Sequence, residues 1–200
     1  MNLLLFSDLH TDTQKTRSIV DRADDFDILV GAGDFCHCRQ NLELTMSLLR
    51  SIRTPTVLVP GNSESFEELR VACSDWEAAH VLHGSGTAIL GISFFGIGGG
   101  IPTTPFGSWS YDFTEQEAAN LLSGCPKDSV LVSHSPPKGA VDLSSGGQNL
   151  GSSAISQEIL ENVHPLVVCG HIHDCAGRTE YIGKTPIVNA GPVGVSWSLA

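Results

Sequence analysis

The sequence predicts an α/β domain, and three observations indicate that class. Apolar runs of strand length alternate along the chain with segments of helical period. The hydrophobic share is 41% and the charged share only 16%, which is typical of a sheet that is covered on both faces. At 200 residues the chain fits one domain of ordinary size. We therefore expect a single domain over residues 1–200, without a linker.

Six apolar runs have the length and flanking residues of β-strands. They are rich in Val, Ile, Leu and Phe, and most end at Gly, Pro or a polar residue. These predicted strands cover residues 2–6, 27–30, 56–59, 87–97, 129–132 and 165–169. A closing hairpin is expected within residues 178–189, with its turn at Gly183.

Five segments between the strands are predicted to be helices, covering residues 13–23, 41–51, 65–74, 114–122 and 153–163. Two of them begin with a capping box, formed by Ser65 with Glu68 and by Thr114 with Glu117. The last helix is expected to pack one apolar face against a sheet. That face carries Ile155, Ile159, Leu160 and Val163.

Two stretches, residues 96–110 and 136–152, are too rich in Gly, Pro and Ser for regular structure. Loops of this length in a compact domain commonly carry function, so we expect them to shape the mouth of a substrate site. The glycine cluster of the first loop does not form a dinucleotide fingerprint. Ile101 stands at the third glycine position, and Pro102 follows where a helix should begin.

The net charge is −11, from 11 Lys and Arg against 22 Asp and Glu. The basic residues are not clustered, so we expect no broad face for nucleic acid, whereas an acidic site for cations suits this charge. The N-terminal MNLLLFSDLH has neither a basic leader nor an apolar span, which predicts a cytoplasmic protein that does not enter a membrane. The six scattered cysteines are expected to be reduced thiols.

Five apolar runs end in the same way, with Asp, Asn or His just after the run. LLLF is followed by SDLH, DILV by GAGD, and three later runs by PGN, SH and CGHIH. In open α/β sheets the carboxyl ends of the strands form the edge at which ligands bind. The residues expected to meet at this edge are Asp8, His10, Asp34, Asn62, His134, His171 and His173.

These seven side chains supply two carboxylates, one amide oxygen and four imidazoles. They are too many for one tetrahedral zinc ion, but they suit two transition-metal ions of borderline softness that share a bridging carboxylate. A single Asp or His at a strand end is commonly a turn residue, but five such ends in one chain indicate a metal site.

The ordered set DLH, GD, GN, H and GHIH, from Asp8 to His173, resembles the calcineurin-like metallophosphoesterases, in particular their small bacterial members. The resemblance implies a four-layer sandwich of two mixed sheets flanked by helices. It also implies one metal held by Asp8, His10, Asp34 and His173, and a second held by Asp34, Asn62, His134 and His171. The metal pair would be drawn from Mn, Fe and Zn, with Asp34 as the bridge.

The same resemblance implies hydrolysis of a small phosphate ester. A nucleotide-like ester is one candidate substrate. A hydroxide bridging the metals would attack phosphorus, because metal binding lowers the pKa of water from 15.7 to about 7. His10, Asp34 and Asn62 would then act in catalysis. The sequence leaves the native metal pair, the choice between monoester and diester, and the oligomeric state open.

The chain departs from the family pattern at Ser63, where many members have a histidine near the leaving group. A hydroxyl group is not a general acid near neutral pH, so a phosphodiester or an activated phosphomonoester is the expected substrate. His37 is the candidate replacement donor, since it lies three residues beyond Asp34. The alternative function is a non-catalytic, metal-binding interaction scaffold of the same fold, which the missing histidine would permit.

Three further features have two interpretations each. Glu64 either orients a neighbouring group or is a solvated carboxylate before the Ser65 cap. Asp12 either binds an imidazole such as that of His10 or caps a helix. The aromatic side chains of the first long loop either stack on a nucleobase or pack over the loop. These aromatic residues are Phe106, Trp109 and Tyr111.

Overall fold

The computed structural model describes residues 1–199, which form two stacked β-sheets with helices on both outer faces. The helices are α1 (Thr13–Arg22), α2 (Leu42–Leu49), α3 (Phe66–Ala72), α4 (Glu115–Leu122) and α5 (Ser153–Glu161). The strands are β1 (Asn2–Phe6), β2 (Ile28–Gly31), β3 (Thr56–Leu58), β4 (Ala79–Val81), β5 (Ser85–Ile89), β6 (Ile92–Ile97), β7 (Val130–Ser133), β8 (Val167–Cys169), β9 (Thr179–Ile182), β10 (Thr185–Asn189) and β11 (Val195–Ser198).

Both sheets are mixed. The first has the strand order β11-β1-β2-β3-β4, in which β1 to β4 are parallel and β11 is antiparallel to β1. The second has the order β5-β6-β7-β8-β10-β9, in which β6, β7, β8 and β10 are parallel. Its two edge strands, β5 and β9, run antiparallel to their neighbours. The parallel strands of each sheet therefore end at a common edge.

The core consists of three apolar layers between the four layers of secondary structure. Alternation along β1 shows this, since Leu3 and Leu5 lie in the cluster between the sheets, whereas Leu4 and Phe6 lie in the cluster beneath α1, α2 and α3. A third cluster joins the second sheet to α4 and α5. Burying one leucine side chain of this kind contributes about 1.5–3 kcal/mol. The predicted α/β class and the four-layer sandwich are confirmed.

The five predicted helices are present, with bounds within two residues of those expected. Both capping boxes form, because Ser65 accepts from the Glu68 N–H and Thr114 from the Glu117 N–H while each glutamate bonds back to the cap. Asp12 caps α1 by accepting from the N–H groups of two residues in its first turn. Within residues 1–199, no helix combines the length and apolar character that a membrane span requires.

Three details differ from the expectation. The predicted strand 87–97 is a hairpin, because Leu90 and Gly91 adopt positive φ angles and turn the chain between β5 and β6. The short strand β4 and the C-terminal strand β11 were not predicted. On α5 only half of the expected face is buried, since Leu160 and Val163 are 73% and 60% exposed. Leu160 is rotated by one residue from the Ile155–Ile159 stripe, and Val163 lies beyond the end of the helix.

Candidate metal centre

The carboxyl ends of five strands meet at one edge of the sandwich. Three of them, β1, β2 and β3, belong to the first sheet, and the other two, β7 and β8, belong to the second. The loops that follow carry all seven side chains predicted to meet there: Asp8 and His10 after β1, Asp34 after β2, Asn62 after β3, His134 after β7, and His171 and His173 after β8. The site therefore draws on both sheets.

Several of these residues have an unusual backbone conformation. Asp8, His10, Asp34 and His171 all have positive φ angles, between 44° and 68°. A non-glycine residue in this region carries local strain, which persists only where the surrounding structure enforces it and which is often found at functional sites. Hydrogen bonds between the loops provide that restraint, since the Asp8 N–H donates to Gly33 O at 2.9 Å and the His10 N–H to Asp34 O at 3.0 Å.

The first compact group of donors comprises Asp8, His10 and His173, whose nearest ligand atoms lie within 4.8 Å of one another. The Nε2 atoms of His10 and His173 are 3.1 Å apart. His173 Nε2 is 3.7 Å from Asp8 Oδ1, and His10 Nε2 is 3.5 Å from Asp34 Oδ2. Lone pairs and carboxylate oxygens converge here at the separations that a shared cation requires.

The second compact group comprises Asp8, Asp34 and His134. His134 Nε2 lies 3.5 Å from Asp34 Oδ1 and 3.2 Å from Asn62 Oδ1. The His171 ring packs edge-on against the His134 ring, with 4.9 Å between their centroids. Asp34 thus directs one carboxylate oxygen toward His10 and the other toward His134, so it lies between the two groups.

Two imidazole rings are oriented by backbone carbonyls. His10 Nδ1 lies 3.0 Å from Cys36 O, and His134 Nδ1 lies 2.8 Å from Ala32 O. A carbonyl oxygen can only accept a hydrogen bond, so Nδ1 carries the proton in both rings. In the neutral form of each ring, Nε2 then has a free lone pair. Metal-binding histidines are commonly oriented in this way.

The crowding of buried carboxylates and imidazoles shifts the pKa values of the side chains in the centre. Burial and the neighbouring charge of Asp8 raise the pKa of Asp34. Burial alone would also raise the pKa of Asp8, but the nearby imidazoles of His173 and His134 and a hydrogen bond from the Ser7 hydroxyl lower it to about 2. Burial, and then His134, lower the pKa of His171 to about 4. Carboxylates that repel each other beside neutral imidazoles fit transition-metal ions, so the residues present suit the predicted cofactor class.

Glu64 has the first of its two possible roles, since its side chain is fully buried and does not meet solvent. Its carboxylate accepts four backbone hydrogen bonds, from the N–H groups of Asp34, Phe35, Cys36 and Gly61. Burial, and then the charge of Asp34, raise its pKa to about 6. In the sequence, its position two residues after Asn62 was the only sign of this role.

Close packing fixes the same two loops. A Cβ atom at Gly61 would collide with Asp34 Oδ1 and with the Asp34 backbone nitrogen, so only glycine fits at this position. The N–H group of Ser63 donates to Asp34 Oδ1 at 2.8 Å. The GN segment therefore positions the carboxylate of Asp34 as well as presenting Asn62.

A cavity of about 430 Å³ opens over the centre. His37 and Ser63 both lie in its wall, and the rings of His37 and His10 are in edge-on contact, with 5.8 Å between their centroids. Both long loops contribute to the wall, as predicted, through Phe106 and Trp109 from the first and Ser144 and Leu150 from the second. Tyr111 instead packs against His83 and Phe113 and does not line the cavity.

Two stacked mixed sheets with candidate metal-binding side chains at one shared edge have the architecture of the metal-dependent phosphatase fold. The sequence matches the family model described as the calcineurin-like phosphoesterase superfamily domain over residues 1–198. The chain therefore belongs to the calcineurin-like phosphoesterase superfamily, and the resemblance seen in its motifs is confirmed.

Solved structures with the same fold include TT1561 of Thermus thermophilus, with a TM-score of 0.77 and 19% identity over 95% of this chain and 88% of that one. A dimetal phosphatase from Danio rerio matches with a TM-score of 0.61 and 12% identity, covering 96% and 88% of the two chains. Phosphopantetheinyl hydrolase from Mycobacterium tuberculosis matches at 0.57 and 14%, covering 95% and 88%. At these identities the likeness shows the fold. No curated protein matches the sequence.

Proposed function

We propose that this phosphoesterase uses two transition-metal ions, drawn from Mn, Fe and Zn, to hydrolyse a phosphodiester or an activated phosphomonoester. The observation that carries the proposal is the position of Asp34, whose two carboxylate oxygens face separate imidazole donors, His10 and His134, at 3.5 Å each. A carboxylate with this orientation suits the bridge of a two-metal site.

One ion would be held by Asp8, His10, Asp34 and His173, and the other by Asp34, Asn62, His134 and His171. When bound, the two ions would supply a nucleophile by lowering the pKa of water and would neutralise phosphoryl oxygens. Asn62 is held for this role, since its Nδ2 donates to Ser110 Oγ at 3.0 Å and its Oδ1 then faces His134. The bond to Ser110 also ties the first long loop to the centre.

His37 is the proposed donor to the leaving group. Ser63, which stands where many relatives have a histidine, is buried in the cavity wall and offers only a hydroxyl group. His37 lies in the same wall, is exposed, and contacts the ring of His10. A protonated imidazole there can give its proton to a departing alkoxide, which a serine hydroxyl cannot do near neutral pH.

The cavity wall favours a singly charged ester that carries an apolar group. Among the described residues, no lysine or arginine lines the cavity, and Asp174 adds a negative charge to its rim. A second or third phosphate group would therefore find no lysine or arginine in this wall to neutralise it. Phe106, Trp109, Leu150 and Ile172 form an apolar wall instead. An aryl or nucleoside diester, whose phosphate has one charge, suits these surroundings.

The test combines metal analysis with hydrolysis of two esters. The manganese-loaded protein should bind two equivalents of metal and hydrolyse bis(4-nitrophenyl) phosphate faster than 4-nitrophenyl phosphate. Asp34→Asn should lower kcat/KM by at least about 100-fold, because the substitution removes the charge of the proposed bridge. The exposed Asp75 provides the control, since Asp75→Asn should leave both metal content and rate unchanged.

The alternative of a non-catalytic scaffold predicts a different result. A scaffold would bind metal and show no turnover of either ester, and Asp34→Asn would change its metal content alone. If the metal-loaded parent and Asp34→Asn hydrolysed both esters at equal rates, the proposed centre would be wrong.

A further inference from the structure

A second cluster of metal-binding side chains lies on the helical face of the second sheet, and it contains none of the seven residues of the first centre. It comprises Cys125, Glu158 and His164, whose donor atoms all lie within 4.8 Å of one another. Cys125 follows α4, Glu158 belongs to α5, and His164 precedes β8. Three segments of the chain therefore converge at this point.

His164 is the residue that indicates a ligand. Its side chain is buried, with 1% of the residue exposed. Nδ1 lies 2.8 Å from Ser129 O, which can only accept a hydrogen bond, so Nδ1 carries a proton. Within residues 1–199, Nε2 has no hydrogen-bond partner. A buried ring nitrogen without a hydrogen-bond partner is unfavourable, and a bound cation would offset that cost.

The unpartnered nitrogen points toward the other two donors. His164 Nε2 lies 3.5 Å from Glu158 Oε1, too far for a good hydrogen bond but close to the separation of two donors on one tetrahedral zinc ion. Bond lengths of about 2.0–2.3 Å place such donors roughly 3.4–3.8 Å apart. The Asn162 side chain orients Glu158 by donating to Oε1 at 2.9 Å.

Cys125 supplies the third donor, and Glu158 lies at the side of the cluster that opens to solvent. Its thiol is free and partly buried, and its Sγ lies 3.6 Å from Ser129 Oγ. A side-chain rotation can move the Sγ atom by about 1 Å, and this movement would bring it within bonding distance of a cation held by His164 and Glu158. Glu158 is 11% exposed at its side chain, so an ion and one water ligand can reach the site from this side.

We propose that Cys125, Glu158 and His164 bind one zinc-class ion that joins α4, α5 and the segment before β8. One thiolate and one carboxylate balance the two positive charges of the ion, and the neutral imidazole completes a sulfur-containing set that excludes Mg²⁺ and Ca²⁺. Binding would release the thiol proton to solvent. This proposal is independent of the proposed hydrolysis, since the site shares no residue with the first centre.

Cobalt titration of the metal-free protein provides the test. The seven proposed ligands of the first centre offer nitrogen and oxygen donors alone, so a thiolate-to-cobalt charge-transfer band in the near ultraviolet reports the second site. We expect one equivalent of this band, and added Zn²⁺ should abolish it. Cys125→Ser should remove the band, whereas Cys38→Ser, which changes a thiol in the wall of the first cavity, should retain it.

Two further measurements keep the proposal testable if cobalt also binds elsewhere. Glu158→Gln should weaken the affinity that produces the band by at least about tenfold while the protein stays folded. Zn²⁺ should raise the Tm of Asp34→Asn more than that of the Asp34→Asn/Cys125→Ser double variant, because a ligand stabilises only the fold that binds it. A band that survives Cys125→Ser, or no band at all, would overturn the proposal.

Discussion

The carboxylate of Glu64 holds the backbone of Asp34. Glu64 Oε1 accepts from the N–H groups of Asp34 at 2.8 Å and of Gly61 at 2.7 Å, and Oε2 accepts from Phe35 at 3.1 Å and Cys36 at 3.2 Å. One buried side chain thus joins the loop after β2 to the loop after β3. Each of these loops carries a proposed metal ligand.

Replacing this carboxylate by an amide should loosen both loops. Gln has one acceptor oxygen, and its NH2 group would face two N–H donors, so two buried hydrogen bonds would be lost. We expect Glu64→Gln to lower the free energy of unfolding by about 2–4 kcal/mol and metal affinity by about 10–100-fold. Chemical denaturation and metal titration measure the two effects. Glu67→Gln, at an exposed position of the same segment, is the control, and equal results for the two variants would contradict the role of Glu64.

His37→Ala should slow hydrolysis according to the leaving group. An alkoxide needs a proton as it departs, so an alkyl diester should lose about 10²-fold in kcat, whereas a nitrophenolate departs unaided and should lose little. The ratio of the two rates is the measurement, taken at equal metal content because the rings of His37 and His10 are in contact. His80→Ala is the control. A uniform loss on both esters would instead assign His37 to the stability of the centre.

The aromatic pair on the first long loop should select the apolar part of the substrate. The rings of Phe106 and Trp109 are stacked, with 5.7 Å between centroids and an interplanar angle of 11°. Stacking on one ring contributes about 1–3 kcal/mol per nucleobase. Trp109→Ala should therefore raise KM for an aryl or nucleoside ester by about tenfold and leave a small alkyl ester unaffected. Tyr181→Ala, at an exposed aromatic residue on β9, should change neither value.

Stability should fall in acid because of His83. Its ring packs against Phe66 and Phe113, and its Nδ1 accepts from the Gly98 N–H at 3.1 Å. Burial lowers its pKa to about 4, from a value near 6.5 in the unfolded chain. The folded state thus excludes a proton that the unfolded state binds, so the stabilisation is present above pH 6.5 and is lost as the pH falls to about 4.

The measurement compares His83→Gln with the parent, both metal-free, between pH 7 and pH 4. The parent should lose about 1–2 kcal/mol more of its free energy of unfolding than the variant, after allowance for partial exposure of the ring. His80→Gln should follow the parent. If His83→Gln showed the same acid sensitivity as the parent, other groups would be responsible for it.

The fold was predicted correctly where the sequence signal for an element lies within the element itself. Helix starts depend on side chains within one turn, so the capping boxes at Ser65 and Thr114 were readable and both form. The errors concern features that depend on partners elsewhere. Strand β11 consists of four residues whose pairing with β1 is settled only by the sandwich. Leu160 is apolar in sequence and yet lies outside the packed face of α5.

The sequence by itself determined which residues are available for chemistry, because the ends of apolar runs can be read without coordinates. Five such ends delivered Asp, Asn and His in the order of a known family. Only the tertiary structure decided how they meet: three ends come from one sheet and two from the other, and stacking of the sheets brings them to one edge. Glu64 illustrates the same limit, since its four hydrogen bonds join backbone segments about 30 residues apart and depend on burial, which no local pattern encodes.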